Sequence, residues 1–479
     1  MARVSQAVVG GKILNISDYD LLRHSYYGTG GFATGEYLAR HKRELLDNYQ
    51  MRQAIAYFLN YVAPVVNSHI NPVFRAEAQR NWTGSVEQWE RFMEDADRRG
   101  YSLPRCMKNA GLEAKLFGVT YLVLDNVAEP PPTVADALAS RSLPYLYTIT
   151  PDRVPDDGIK TDQYGRLIEI TWMEIRTNEK GEQITEYKTW TTTGWTLKSE
   201  KGEVLKSGSH LLGRVPVVPL LSRMVGTNLK PSSEFLSIAK TNLHIYQLCS
   251  WLSEMLQNQA FAILTLPTKE GAAPTKVNVG TNNALAYDQE AKSPPAFIAP
   301  PADPATMLQS QIDRLIQEIY RMAALSLATG TKEAASGIAK AFDFEATNTV
   351  LADFAQQCEH AEKQIAELFA LWTKQPFEYE CGYPADFGLT DIEQELKNAG
   401  LVLDLGIESE LLLVAIVEKL LTVYLPDLSA EDFDAIIAEV KAKGADALAS
   451  VKKYVPGGQQ QANNQEPKQD PNQDPDVNE

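Results

Sequence analysis

Cysteine pairs are missing from this 479-residue chain: Cys106, Cys249, Cys358 and Cys381 fall into no CxxC or other regular spacing. No disulfide framework is expected, and Cys249 and Cys358, on apolar faces of predicted helices, read as core thiols in a reducing compartment. Long apolar runs are missing too. The longest, residues 411–417, falls far short of the ~18 residues of a membrane-spanning helix. Around Val8-Val9-Gly10-Gly11 there is no apolar core of a signal peptide. A soluble intracellular product without membrane contact is expected.

Catalytic signatures are equally scarce. The six histidines, at 24, 41, 69, 210, 244 and 360, include no i, i+4 pair and no HExxH. Cys358 and His360 are two residues apart, so on one helix they diverge by about 200° and cannot share a metal. No Gly-x-Ser-x-Gly elbow is present. Gly28-Thr-Gly-Gly31 with Gly35 has no preceding strand and no following Lys-Ser/Thr pair, which leaves a flexible connection rather than a phosphate loop. A protein that is not an enzyme, with no cofactor and no metal, is expected.

What is present is a core and a charge polarity. Apolar residues make up 44% of the chain, enough for an ordinary globular interior. The net charge of −17 is uneven: residues 1–120 carry 15 Lys/Arg against 12 Asp/Glu, and residues 391–479 carry 7 against 18. The two ends therefore sit in different electrostatic settings.

Along the chain, residues 17–70 read as helical, with one helix over 36–66 ending at Pro64. The cluster Arg40-His-Lys-Arg43 reads as a solvated face of it. Two more helices are expected within 85–118 and a buried strand over 119–124. From 145 to 220 the period becomes two, with turns at Gly158, Gly165, Gly181 and Gly202, which predicts one antiparallel β module. Residues 232–258 are helical and poor in charge. Between Phe235 and Leu266 only Lys240 and Glu254 are formally charged, so this helix is packed on more than one side, by its own fold or by neighbouring subunits.

Short strands at 261–266 and 276–279 follow among loops. Asp303-Pro304 then starts a helix whose Leu308, Ile312, Leu315, Ile319 and Met322 step by four and three. The small-residue run Thr329-Gly-Thr-Lys-Glu-Ala-Ala-Ser-Gly337 interrupts the pattern before Leu351, Phe354, Cys358, Ala361, Ile365, Leu368 and Trp372 resume it. A strand is expected over 377–381. Beyond it the chain is helical, with a capping box at Thr390 and Glu393, a core helix over 411–425 and a capped helix over 433–443. A helix hairpin enclosing a small β insertion, with an α/β body before it and a helical bundle after it, is a stalk with a head at one end.

The stretches Phe261-Ala-Ile-Leu-Thr-Leu266, Asn283-Ala-Leu-Ala-Tyr-Asp288, Pro300-Pro-Ala-Asp-Pro304, Ile312-Asp-Arg-Leu-Ile316 and Ser336-Gly-Ile-Ala-Lys-Ala-Phe342, in this order of elements, resemble portal proteins of tailed double-stranded DNA bacteriophages, particularly the siphovirus type. The resemblance covers most of residues 20–445 and rests on the combination rather than on one specific motif. It implies an α+β portal fold: a mixed α/β wing over 1–228, a stem of helices 232–258 and 304–327, a clip over 261–300 and a tunnel loop over 329–338. The long wing helix and strand would take 339–387, a helical crown 388–455 and a disordered acidic tail 456–479.

The resemblance further implies a homo-oligomeric ring of about twelve subunits at one capsid vertex, in the virion and, during assembly, in the host cytoplasm. Double-stranded DNA would pass through it without sequence preference, driven by the large terminase subunit. A head-tail adaptor and the major capsid and scaffold proteins would be the other partners. Lys332, Glu333, Thr331, Lys340, Arg314 and Arg321 become candidates for the DNA channel. Lys269, Glu270, Lys276, Asn278 and Asp288 become candidates for docking terminase or adaptor. The alternative is another virion protein, for head completion or scaffold interaction, that uses the hairpin to oligomerise.

Overall fold

The computed structural model is α+β and describes residues 4–9, 12–84, 87–126, 133, 135, 142–177, 181–224, 226–260, 263–268, 284–288, 296–298, 303–323, 337–384, 387, 410–424, 432–433 and 435–441. The chain divides into two compact units, residues 1–387 and 388–479.

The first unit opens with an antiparallel hairpin of β1 (Val4–Val9) and β2 (Lys12–Ser17). Ser17 then caps α1 (Asp18–Tyr27): its hydroxyl accepts the Asp20 N–H at 3.0 Å, and Asp18 and Asp20 sit where the helix dipole favours anions. The continuous helix expected over 36–66 is not formed. Instead α2 (Gly31–Thr34), α3 (Leu46–Ile55) and α4 (Val62–Ile70) are separated by irregular backbone. Pro64 lies in the first turn of α4, where its missing N–H has no partner to lose, so it opens a helix rather than ending one. The basic cluster at 40–43 lies on the irregular stretch. There Arg40 donates to the Glu44 carbonyl, and no helix face is involved.

After β3 (Gln79–Thr83), α5 (Glu87–Glu94) and α6 (Leu103–Phe117) lead into β4 (Val119–Asp125). Gly118 between them has φ 92°, and a Cβ there would lie 2.8 Å from the Pro231 carbonyl oxygen; only glycine closes the helix and begins the strand in that space.

The strands of 145–221 form two sheets, not the single module expected. β6 (Ile159–Thr161), β7 (Leu167–Thr177), β8 (Gln183–Thr191), β9 (Gly194–Ser199) and β10 (Val204–Ser209) make one antiparallel sheet in the order β10-β9-β8-β7-β6. The outer members, β5 (Tyr145–Ile149) and β11 (Val217–Leu221), flank β4 instead. Strand alternation explains the division of labour. Val119, Tyr121 and Val123 face a β core around Trp172 and Trp190, while Leu122 and Leu124 face the helical core. β4 is the wall between two interiors, and its apolar run over 119–124, broken by buried Thr120, follows from burial on both faces.

The hairpin comes next. α7 (Leu236–Ala260) leads to β12 (Ile263–Thr268), β13 (Ala284–Asp288) and β14 (Ala296–Ile298), in which β12 pairs parallel with β13 and antiparallel with β14. α8 (Asp303–Met322) returns along α7. The strand expected at 276–279 lies outside the described residues. α9 (Gly337–Thr373), 37 residues and about 55 Å long, is followed by β15 (Glu378–Gly382), paired with β3. The stripe expected on α9 is buried, from Leu351 at 4% exposure through Phe354, Cys358, Ala361, Ile365 and Leu368. Its last turns pack on α5, with Phe369 5.2 Å from Trp89 and 4.9 Å from Phe92 between ring centres.

In the second unit the principal described element is α10 (Glu410–Tyr424). The capping box at 390–393 and the acidic tail lie outside the described residues. Among the described residues no helix is long and apolar enough to cross a membrane.

Candidate functional site

The first half of α7 is enclosed by its own chain. Of residues 238–250 only Lys240 and His244 are exposed. The enclosing segment includes residues 32–61, irregular outside α2 and α3, whose polar groups need partners once they leave water. α7 supplies them. Asn242 accepts the Tyr61 N–H at 3.1 Å and donates to the Leu59 carbonyl at 2.8 Å; Gln247 accepts the Ala39 N–H at 2.8 Å; Tyr246 donates to the Phe32 carbonyl at 3.2 Å.

Arg52, 1% exposed, completes the arrangement. Its guanidinium forks onto Glu44 with two bonds of 2.8 Å and donates to Ser250 Oγ and the Ala39 carbonyl, each at 2.9 Å. Burial alone would raise the Glu44 carboxyl, but the bonds from Arg52 and the His41 N–H outweigh it and hold Glu44 below the usual carboxylate range. The low charge of this half of α7 thus needs no neighbouring subunit. Its distal half is more open, with Leu256 51% exposed.

α8 is two-faced. Ala305, Ile312, Ile319 and, just beyond the helix, Ala323 are buried, with Leu308 and Leu315 packed beside them. On the other side Ser310, Arg314, Gln317 and Arg321 are exposed at spacings of four and three, a polar stripe with exposed, apolar Met307 at its N-terminal end. Arg314 and Arg321 lie seven residues apart, about 10.5 Å along one face. Arg321 donates to Glu318 at 2.8 Å with 72% of its side chain exposed, a pair worth only ~0.2–0.5 kcal/mol.

Both roots of the hairpin are held by His69 of α4. Its Nε2 bonds the Ala323 carbonyl at 2.9 Å, at the end of α8, and its ring stands edge-on to Phe235, 5.3 Å away, at the start of α7. That bond requires the proton on Nε2, which leaves Nδ1 bare and without a partner among the described residues. Burial first, and then the Lys115 charge, push the His69 pKa below its ordinary value. Lys115, 1% exposed, bonds Glu234 at 2.8 Å and lies 4.7 Å from the Phe354 ring of α9. Glu234 also accepts from Ser222. Burial raises its carboxyl, and Lys115 and Ser222 overcome this to hold it below the usual range.

α9 is tied down by a buried acid. Glu362, fully buried, accepts from Arg80 at 2.6 and 3.2 Å, Tyr379 at 2.5 Å and Tyr383 at 2.6 Å. Burial works against the Arg80 charge, but Glu362 outweighs that and Arg80 titrates above free arginine.

Of the residues singled out from sequence, Arg314 and Arg321 share the α8 stripe. Lys340 falls in the first turn of α9 and Asp288 ends β13, their side chains outside the described residues. Thr331, Lys332, Glu333, Lys269, Glu270, Lys276 and Asn278 also lie outside the described residues. The anchors His69, Arg52, Lys115 and Glu362 were not anticipated. Glu362 had a signal, an acid one helical turn from Cys358 and three residues from Ile365, on the apolar stripe itself.

Residues 234–373 match a family model described as a domain of unknown function (DUF4055). The match runs from the root of α7 to the end of α9. No curated protein matches the chain. Among solved structures, a chain from the neck of an empty gene transfer agent (GTA) particle computed with C6 symmetry is similar at 10% identity and a TM-score of 0.42, covering 85% of this chain and 98% of that one. A chain from the virion of a native gene transfer agent particle has 9% identity and a TM-score of 0.42, covering 90% and 96%. A chain from the neck of a native particle computed with C12 symmetry has 11% identity and a TM-score of 0.40, covering 78% and 88%. Likeness at this level carries no functional inference.

Proposed function

We propose that the chain is a portal subunit of a tailed double-stranded DNA bacteriophage. About a dozen copies would form a ring at one capsid vertex. The genome is driven in through this ring by a separate terminase motor, is retained, and is later ejected. The subunit itself performs no catalysis. The observation that carries the reading is the rooted hairpin: two long helices joined through β12–β14, one locked into the body over its first half, the other presenting a polar stripe from Ser310 to Arg321, and both clamped at the root by His69.

A locked outer helix and a polar inner one suit a stem around an aqueous channel. Arg314 and Arg321, repeated around a ring, set two tiers of positive charge about 10.5 Å apart. Arg321 is already partly neutralised by Glu318. Thr331, Lys332, Glu333 and Lys340 would belong to the moving constriction. Lys269, Glu270, Lys276, Asn278 and Asp288 would belong to the end that meets first terminase and then the head-tail adaptor. The acidic C-terminal part repels DNA, which suits passage rather than binding.

Native mass spectrometry and negative-stain imaging of the full chain test the reading. A ring of about a dozen copies is expected. A monomer or dimer at assembly-level concentration would sink it, and a dimer held through the hairpin would favour a head-completion or scaffold-interacting role instead.

A further inference from the structure

A groove of about 1560 Å³ lies in the first unit, between the face of β8–β10 and the C-terminal turn of α9. The strand register builds its floor: Lys188 stands opposite Leu197, and Trp190 opposite Trp195. Gly208 of β10 stands opposite Trp195, and a Cβ there would lie 2.7 Å from the Trp195 Nε1, so the indole lies across β10 only because that residue is glycine. Leu371, Trp372 and Lys374 form the other wall.

Three independent features mark this groove as a binding site. In a chain of net charge −17, it is lined by Arg98, Arg176, Lys188, Lys206, Arg214 and Lys374 against only Asp125 and Glu367. Both acids are already engaged, Asp125 by Lys188 at 3.0 Å and Glu367 by Arg214 at 2.8 Å. Second, Trp190 is 1% exposed and its indole N–H has no acceptor among the described residues, although a buried indole N–H ordinarily has one. Third, apolar side chains sit in water at the margin, Leu211 at 94% and Leu371 at 43% exposure. β10 is an edge strand of its sheet.

We propose that this groove binds an extended acidic peptide segment of a partner protein, one that also carries aliphatic side chains. Its carboxylates meet Arg98, Lys206 and Lys374. Aliphatic groups cover Leu211 and Leu371, and the backbone lies along β10 in the manner of an added strand. A nucleic-acid backbone fits less well. Lys188, Arg176 and Arg214 are occupied by carboxylates of this chain, and the floor between the remaining cations is indole and leucine rather than further charge.

The proposal does not depend on ring assembly. Its test is selection of 12-residue peptides from a random displayed library on the full chain, followed by fluorescence anisotropy with the selected peptides. Enrichment of Asp and Glu together with Leu, Ile or Val is expected. Affinity should drop about tenfold or more, equivalent to ~1.4 kcal/mol, in the double variant Lys206→Glu, Lys374→Glu. Both side chains are exposed, so circular dichroism and Tm should be unchanged. Trp195→Ala should weaken binding by a salt-independent amount. Selected sequences without acidic enrichment, or binding indifferent to the double charge reversal, would overturn the proposal. So would equal competition by oligo-dT or inorganic phosphate, which would mark a general anion site.

Discussion

Helix α7 carries two formal charges in 25 residues, Lys240 and Glu254, whereas α8 carries five in 20, Asp303, Asp313, Arg314, Glu318 and Arg321. Scarcity of charge in the first half of α7 reports a shell of contacts, and the shell belongs to the same chain: residues 32–61, stitched to Asn242, Tyr246, Gln247 and Ser250. The amphipathic α8 has filled only one side. Sequence can therefore say how much of a helix is covered without saying by whom. Among the described residues of the hairpin, open surface lies on α8 and on the distal half of α7.

The comparison is broken most forcefully at Arg52. Arg52→Met leaves Glu44 half-buried with its fork partner gone and should cost about 3–5 kcal/mol in urea unfolding, because the fork, Ser250 and the Ala39 carbonyl all lose their donor. A loss below about 1 kcal/mol would mean that the network does not hold α7. On α8, Ile319→Ala empties a fully buried position and should cost about 2–4 kcal/mol. Asn242→Ala strands the Tyr61 N–H and the Leu59 carbonyl and should cost about 1–3 kcal/mol. Equal penalties at exposed Lys240 or His244 would contradict the covered-helix account.

Much of this was legible. The four-three stepping of α8 and α9 marked their buried faces, since a stripe on a helix has only one direction to point, although Met322, the last step on α8, is exposed; the apolar run after Gly118 marked β4. Residues 36–66 were misread because what shapes them is some 180–210 positions away, at Asn242 and Gln247; a local window offers only helical propensity there. Assignment of β11 to β4 was hidden for the same reason, as pairing across about 100 residues leaves no mark in either strand, and β5 joined β4 across the stretch that separates them. The β1–β2 hairpin did have a signal, Gly10-Gly11 between two alternating runs. Of the candidate site, the α8 stripe was readable, but the His69 clamp was not, because a single histidine carries no spacing.

A smaller effect sharpens the contrast at the roots. Unfolded histidine takes up its proton near the ordinary value of 6.5, while folded His69, kept neutral by burial and Lys115, does so only at lower pH. Below about pH 6.5 the unfolded state therefore binds more protons, and stability falls as pH falls through that window. His210 is shifted in the same direction by burial. His69→Gln retains a donor for the Ala323 carbonyl without the titration. The decline in urea midpoint from pH 7 to about pH 5.5 should be shallower in this variant, and an unchanged decline would remove His69 from the account.

The least effect on stability is expected on the α8 stripe, where Arg314→Gln should change unfolding free energy by less than about 0.5 kcal/mol. Its consequence should appear in contact with DNA. Binding of double-stranded DNA by the assembled full chain, followed against salt, loses about 0.9 in log–log slope for each phosphate contact removed; Arg314→Gln should flatten that slope. Arg321→Gln should flatten it less, because Glu318 already shares its charge at 2.8 Å. Identical slopes for both variants and the parent would leave the stripe facing a neighbouring subunit rather than phosphate. A stability loss above about 1 kcal/mol would show that Arg314 is packed, and the contrast between the covered and the open helix would then fail on its open side.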